Sequence, residues 1–229
     1  MNQIISDMLD YTNQFGSLSP EKRFLIAIAG IPGSGKTTLA KKLEGYVNNF
    51  VGKQVAISVS MDGYHYPRKI LDTFPNVEQA YSRRGAHWTF DAEGLYQLVT
   101  SLRNPINHQK IIDAPSFDHA IGDPIENDIK IFPSHRLVIF EGLYLHLKEP
   151  QIWKSIAVQM NELWFLHVDR EIARKRIIKR HIESGISNDE EAAIYRADNN
   201  DFLNADYILE NSIIPTKTIN SISEIDSCT

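Results

Sequence analysis

The stretch GIPGSGKTT, Gly30 to Thr38, has residue types and spacing suited to holding a triphosphate. It fits the pattern G-x-x-x-x-G-K-[ST], in which the glycines let successive backbone N–H groups turn inward onto an anion. Lys36 would supply a point charge for the β- and γ-phosphates, and the Thr37 hydroxyl a ligand for Mg²⁺. The nucleotide-binding set is therefore Gly30, Ile31, Pro32, Gly33, Ser34, Gly35, Lys36, Thr37 and Thr38. Two carboxylates follow apolar runs further on. Asp62 ends VAISVSMD and Glu141 ends HRLVIFE. Beside a γ-phosphate, Asp62 could accept the proton of an attacking hydroxyl and hold Mg²⁺ through water, while Glu141 could hold the water shell of the same ion. Arg176 and Arg180 stand one helical turn apart, so a mobile lid carrying both could lay two planar guanidinium forks on the transferring group. Arg176 is also counted with the nucleotide contacts.

These groups need elements to position them. FLIAIA (Phe24 to Ala29) reads as a buried strand before the loop, and the apolar spacing of Leu39, Leu43, Tyr46, Val47 and Phe50 as a helix after it. About two dozen residues separate Lys36 from Asp62, enough for one helix and one returning strand of a parallel βαβ unit. Ligands of such open sheets gather at the carboxyl ends of the strands. Further strands are expected at His135–Gly142, Leu163–Asp169 and Tyr207–Asn211, with short ones around QKIID and ENDIKIFP. Helices are expected at 4–15, from Asp91 as N-cap, and after Asp169, the last with Ile172, Ile177, Ile178 and Ile182 as its apolar side. Another is expected from a capping signature at Ser187–Glu190. The region 63–91 reads as irregular, and the chain beyond Ser212 as a loosely ordered tail. The fold class is α/β with a mainly parallel sheet, in a single domain over 1–229, with a lead-in helix at 1–19, lid and following helix at 170–200, and a tail at 212–229.

The segment from Gly63 to His119 is rich in aromatic and basic residues near strand ends, and is the natural seat of a polar acceptor. Its substrate-binding candidates are Asp62, Tyr64, His65, Arg84, His87, Phe117, Asp118 and His119. The eight histidines lack metal spacing with cysteine or carboxylate, so no zinc is expected. A net charge of −5 gives no overall positive field for a nucleic acid. The single cysteine, Cys228, suits a reducing compartment, and neither a signal peptide nor a membrane span is expected. Expected partners are ATP and a small-molecule acceptor, with no nucleic acid and no membrane. Homodimer formation is left open. The expected location is the cytoplasm, with the nucleus open.

Taken in order, GIPGSGKTT, SMDGYHYP, RRGAHWTFD, APSFDHAIGDP, VIFEGLYL and VDREIARKRIIKRH resemble the P-loop kinases that include uridine kinase, pantothenate kinase and phosphoribulokinase. The likeness runs over about residues 20 to 211 and is strongest to fungal and bacterial uridine-kinase-like ATP-dependent kinases. It implies a three-layer P-loop NTPase fold with a mainly parallel five-stranded sheet and helical lid, and ATP with Mg²⁺ as donor. It also implies that Asp62 is the catalytic aspartate, Glu141 the metal-shell acid, and Arg176 and Arg180 the lid arginines. Two features depart from uridine kinases: Asp62-Gly63-Tyr64 where they carry aspartate–serine–tyrosine, and RRGAHWTFD, which is closer to the pantothenate-kinase-like branch. The expected activity is transfer of the γ-phosphate of ATP to a hydroxyl of a nucleoside-like, pantothenate-like or sugar-like metabolite. The alternatives are a nucleoside monophosphate kinase, for which Arg68, Arg83 and Arg84 would meet the acceptor phosphate, and a non-catalytic ATP-binding scaffold.

Overall fold

The computed structural model describes residues 21–118 and 120–221. The lead-in helix expected at 1–19, His119 and Cys228 lie outside the described residues. In chain order, β1 (Phe24–Ala29) leads through the glycine loop into α1 (Lys36–Val51) and returns as β2 (Ala56–Ser60). A 3-10 turn (Met61–Tyr64) and two short helices, α2 (Arg68–Leu71) and α3 (Val77–Ser82), occupy the region expected to be irregular. Next come α4 (Ala92–Arg103), the hairpin β3 (Ile112–Asp118) and β4 (Asp123–Ile131), β5 (Leu137–Glu141), α5 (Gln151–Ala157) and β6 (Glu162–His167). The chain closes with α6 (Arg170–Glu183), α7 (Glu190–Arg196), a π-helical turn (Ala197–Asp201), α8 (Phe202–Asn211) and β7 (Lys217–Asn220).

The main sheet has five strands in the order β2-β5-β1-β6-β7, every pair parallel. Both faces are covered, and the alternation within β1 shows how. Leu25, Ala27 and Ala29 join one core cluster with Leu95, Leu98, Val99 and Leu102 of α4 and Trp153 of α5. Phe24, Ile26 and Ile28 join the other, with Ala40, Leu43 and Val47 of α1. A third cluster combines Ile31 of the loop with Ala173 and Ile177 of α6 and Phe202 and Ala205 of α8.

Five local expectations are corrected. Tyr207–Asn211 belongs to helix α8, because Phe202, Ala205 and Ile208 recur on one buried helical face. The fifth strand is instead Lys217–Asn220, within the expected tail, where it extends the sheet along β6. On α6 the buried stripe is Ala173, Ile177 and His181, one turn apart, while Ile172 and Ile182 are exposed. The cap of α7 is Asp189, whose carboxylate accepts from the Ala192 N–H at 2.8 Å, rather than Ser187. On α1, Phe50 likewise faces outward. The cap expected at Asp91 is present, accepting from the Gly94 N–H, and Asp169 caps α6 in the same way, accepting from the Glu171 and Ile172 N–H groups.

The hairpin lies outside the main sheet and rests on the 3-10 turn that carries Asp62. A β-carbon at position 63 would land inside van der Waals contact of the Pro115 carbonyl, so Gly63 lets β3 approach the backbone beside the carboxylate. Gly63→Ala should therefore lower stability by about 1–3 kcal/mol, the usual cost of overfilling a packed site. Urea unfolding checks this; an unchanged midpoint would show that the hairpin does not need the close approach.

Candidate active site

Strand order and register bring the charged groups together. β5 lies between β1 and β2, and Glu141 at its end pairs in register with Ile28 on one side and Ser60 on the other. The glycine loop leaves the same end of β1 and Asp62 the same end of β2. Glu141 thus sits between them, at the carboxyl edge where an open sheet binds its ligand.

Within the loop, Gly33 and Gly35 have φ of 76° and 95°, left-handed values that favour glycine. The Ser34 N–H donates to the Ile31 carbonyl at 3.2 Å, closing the turn. Gly35 caps α1 without a side-chain acceptor, and the first turn of α1 holds no acidic residue, so its N–H groups and positive end stay directed at the loop. The back of the loop is not loose. A β-carbon on Gly33 would come within 2.6 Å of the Ala173 carbonyl of α6.

Lys36 Nζ donates to the Ile31 carbonyl at 3.0 Å and reaches Ser34 Oγ at 3.5 Å. Burial lowers its pKa to about 8; the charges of Glu141 and Asp62 oppose that fall, and Arg180 adds to it. The buried Glu141 carboxyl is pushed up by desolvation first and by Asp62 second, while hydroxyl donors from Ser60 and Thr37 and the charge of Lys36 pull it back. Lys36, Thr37, Ser60, Asp62, Glu141 and Arg180 therefore share one electrostatic site. Asp62 is half-buried, its N–H donates to Ser60 Oγ at 3.2 Å, and its carbonyl lies 2.9 Å from His65 Nδ1.

The helix expected to act as a lid is anchored at its start. Arg176 Nη1 donates to the Gly33 carbonyl at 3.2 Å and to Ser221 Oγ at 3.1 Å. Arg170 and Arg174 pair with Asp206 and Asp198, fastening α6 to the helical segments that follow. Arg180, a turn beyond Arg176, is exposed.

The acceptor candidates divide. His65 packs against Phe90 and Phe117, with ring centroids 4.0 and 4.9 Å away. His87 stacks on Tyr207 at 4.5 Å and meets the edge of Tyr144 at 5.9 Å. Burial, then the charge of Arg83, lowers the His87 pKa. Tyr64 is buried, and its carbonyl accepts from the Asp91 N–H at 2.7 Å. Arg84 is committed to structure: it donates to the Gly122 carbonyl and Asp123 carboxylate at 2.6 Å each and to the Tyr66 carbonyl at 3.1 Å. Asp118 caps the hairpin turn, accepting from Ala120 and Ile121 N–H groups.

Several neighbours of the site carry no sequence signal of their own. Tyr144 is fully buried and donates to the Gly85 carbonyl at 2.6 Å. Asn200 and Asn204, from the run DNNDFLN, hold Arg83. Cavities of about 330 Å³, between His87, Trp88 and Trp153, and about 170 Å³, near Arg23 and Pro105, are not lined by the glycine loop.

A glycine-rich loop, a buried lysine and two carboxylates at the carboxyl edge of a parallel sheet define a P-loop kinase, and comparison with known proteins agrees. Residues 25–209 match the model of the Phosphoribulokinase / Uridine kinase family, so the chain belongs to that family and is an ATP-dependent small-molecule kinase. It is 40% identical over 205 residues to a Schizosaccharomyces pombe protein with a provisional uridine kinase name, covering 90% of this chain and 86% of the relative. It is 52% identical over 155 residues to the ATP-dependent kinase-like protein notR' of Aspergillus versicolor, covering 67% and 89% of the two chains. The fold is shared with YFH7 from Saccharomyces cerevisiae, at TM-score 0.81 and 22% identity over 96% of this chain and 99% of that one. Among the described residues no helix is long and apolar enough to cross a membrane.

Proposed function

We propose that the chain transfers the γ-phosphate of ATP to a hydroxyl of a small polar metabolite, with Asp62 as the group that aligns the hydroxyl and takes its proton. The observation that carries this reading is the meeting of Lys36, Thr37, Asp62 and Glu141 at one edge of the sheet. The triphosphate lies along Gly30–Thr38, with Lys36 beside its β- and γ-groups. The acceptor oxygen attacks γ-phosphorus in line and the bond from γ-phosphorus to the β–γ bridging oxygen breaks. ADP leaves and the hydroxyl proton passes to Asp62.

The donor set fits Mg²⁺: a threonine hydroxyl and two neighbouring carboxylates are hard oxygen ligands, and the upward push of Asp62 on Glu141 is relieved by a cation. Thr37 would hold it directly, and Asp62 and Glu141 through water. Bound there, the ion supplies neutralisation of charge on the β- and γ-oxygens.

Arg180 stabilises charge on the transferring group, while Arg176 stiffens the loop through the Gly33 carbonyl. A nucleoside monophosphate as acceptor gains less support, since Arg84, one of the three arginines that reading needs, is already paired to Asp123. A coupled ADP-release assay over nucleosides, hydroxy acids and sugars, with Asp62→Asn as the blank, tests the proposal. ADP release that no acceptor accelerates would favour a scaffold.

A further inference from the structure

Arg83 differs from its neighbours in the company it keeps. Arg84, Arg170 and Arg174 each face an aspartate. Arg83 instead donates through Nε to Asn200 Oδ1 at 3.0 Å and through Nη2 to Asn204 Oδ1 at 2.8 Å. Both asparagines are buried, and both are neutral. A guanidinium gripped by two amide oxygens loses the rotational freedom of its side chain and none of its charge. Among the described residues its Nη1 has no acceptor. The grip also fixes direction, because Asn200 Nδ2 donates back to the Arg84 carbonyl at 3.1 Å, tying the turn at 83–85 to the helical segment after α7.

A run of contacts leads from this turn to Asp62: Tyr144 meets Phe90 at 5.6 Å, Phe90 meets His65 at 4.0 Å, and His65 Nδ1 lies 2.9 Å from the Asp62 carbonyl. Tyr144, which follows Glu141 closely in the chain, donates to the Gly85 carbonyl at 2.6 Å. His87 is clasped between Tyr144 and Tyr207. Burial raises the pKa of the Tyr144 hydroxyl, the charge of Arg83 opposes that rise, and those of Asp201 and Asp62 add to it.

We propose that Arg83 is the anion anchor of the acceptor subsite, so that the acceptor is a hydroxyl compound bearing a carboxylate or phosphate rather than a neutral nucleoside or sugar. The inference rests on the kinase reading above. The anionic group is the handle by which the acceptor is oriented; its hydroxyl, at the Asp62 end, is the nucleophile. Asn200 and Asn204 act through Arg83 and are positioning residues.

The test uses matched pairs under saturating ATP and Mg²⁺: D-glycerate and glycerol, pantothenate and pantothenol, ribose 5-phosphate and ribose, with uridine as a further neutral compound. The expected result is ADP release accelerated by one or more anionic members and not by their neutral partners; which pair responds distinguishes carboxylate from phosphate. Arg83→Gln should then raise the acceptor KM about 30–1000-fold while leaving the ATP KM unchanged. Asn204→Asp keeps size and hydrogen bond but sets a carboxylate on the guanidinium. It should weaken the anionic acceptor at least tenfold with no fall in the thermal midpoint, which a purely structural asparagine would not do. A neutral member turned over as well as its anionic partner, or an Asn204→Asp enzyme with unchanged acceptor KM, overturns the anchor and leaves the kinase reading standing. If nothing accelerates ADP release, the kinase reading falls, and the anchor is judged by binding. With the glycine loop filled by a non-hydrolysable ATP analogue, malonate should bind wild type at least tenfold more tightly than Asn204→Asp; equal binding overturns it.

Discussion

Asp62→Asn should lower turnover about 10²–10⁴-fold, the usual worth of a positioned general base, and leave ATP affinity close to wild type. The exchange preserves shape and removes the proton acceptor. The 3-10 turn is held through the Asp62 main chain, whose N–H donates to Ser60 Oγ and whose carbonyl accepts from the His65 N–H, so the fold should survive. One electrostatic consequence follows as well. Asp62 pushes the Glu141 carboxyl upward, so its neutralisation should let that carboxyl fall back toward its ordinary range. Steady-state kinetics with a nucleotide titration checks the claim; full acceptor phosphorylation by the variant would remove Asp62 from the chemistry.

Lys36→Met should abolish tight ATP binding, by about 10²-fold or more, and make the nucleotide-free protein more stable. Burial holds this ammonium at about 8 against an ordinary 10.5, a gap worth about 3 kcal/mol of disfavoured charge at neutral pH. The fold bears that cost below pH 8 and is relieved of it as pH rises toward 10.5. Methionine removes the charge but strands the Ile31 carbonyl that Nζ serves, at a cost of about 1–2 kcal/mol, so a net gain of about 1–2 kcal/mol is expected. The wild type has a matching pH signature. A bound triphosphate favours the protonated lysine, so ATP affinity should be flat below about pH 8 and fall by up to tenfold per pH unit above it. Calorimetric titration across pH 6–10 and thermal unfolding of both proteins check these points. A variant that binds ATP tightly, or unfolds earlier, would contradict them.

Parts of this architecture could be read from the chain and parts could not, for physical reasons. β1 was legible because six consecutive apolar residues ending at a glycine loop have few other uses, and its observed limits coincide with FLIAIA. Asp91 was legible because a carboxylate before an apolar repeat satisfies the orphan N–H groups of a helix. YILEN was ambiguous: five residues are too few to separate a period of 2 from one of 3.6, and the partners that decide it, Phe202 and Ala205, lie upstream. KTIN was invisible as a strand because only Ile219 of its four residues is buried. The same contrast holds within the site. Glycine, lysine and carboxylate advertise themselves by type and spacing, whereas Asn200 and Asn204 matter only because a π-helical turn and α8 bring them to Arg83.

The misread edge strand has a practical corollary for anyone engineering the molecule. Ser221 follows β7, donates its N–H to the His167 carbonyl at 2.7 Å, and accepts Arg176 at 3.1 Å. Its hydroxyl is also the nearest neighbour a side chain on Gly35 would meet, at 3.9 Å. A chain trimmed at Ser212 would therefore lose more than a peripheral ribbon. The guanidinium that holds the Gly33 carbonyl would give up one of its supports, and a tag fused close behind Ser221 would start beside the glycine loop.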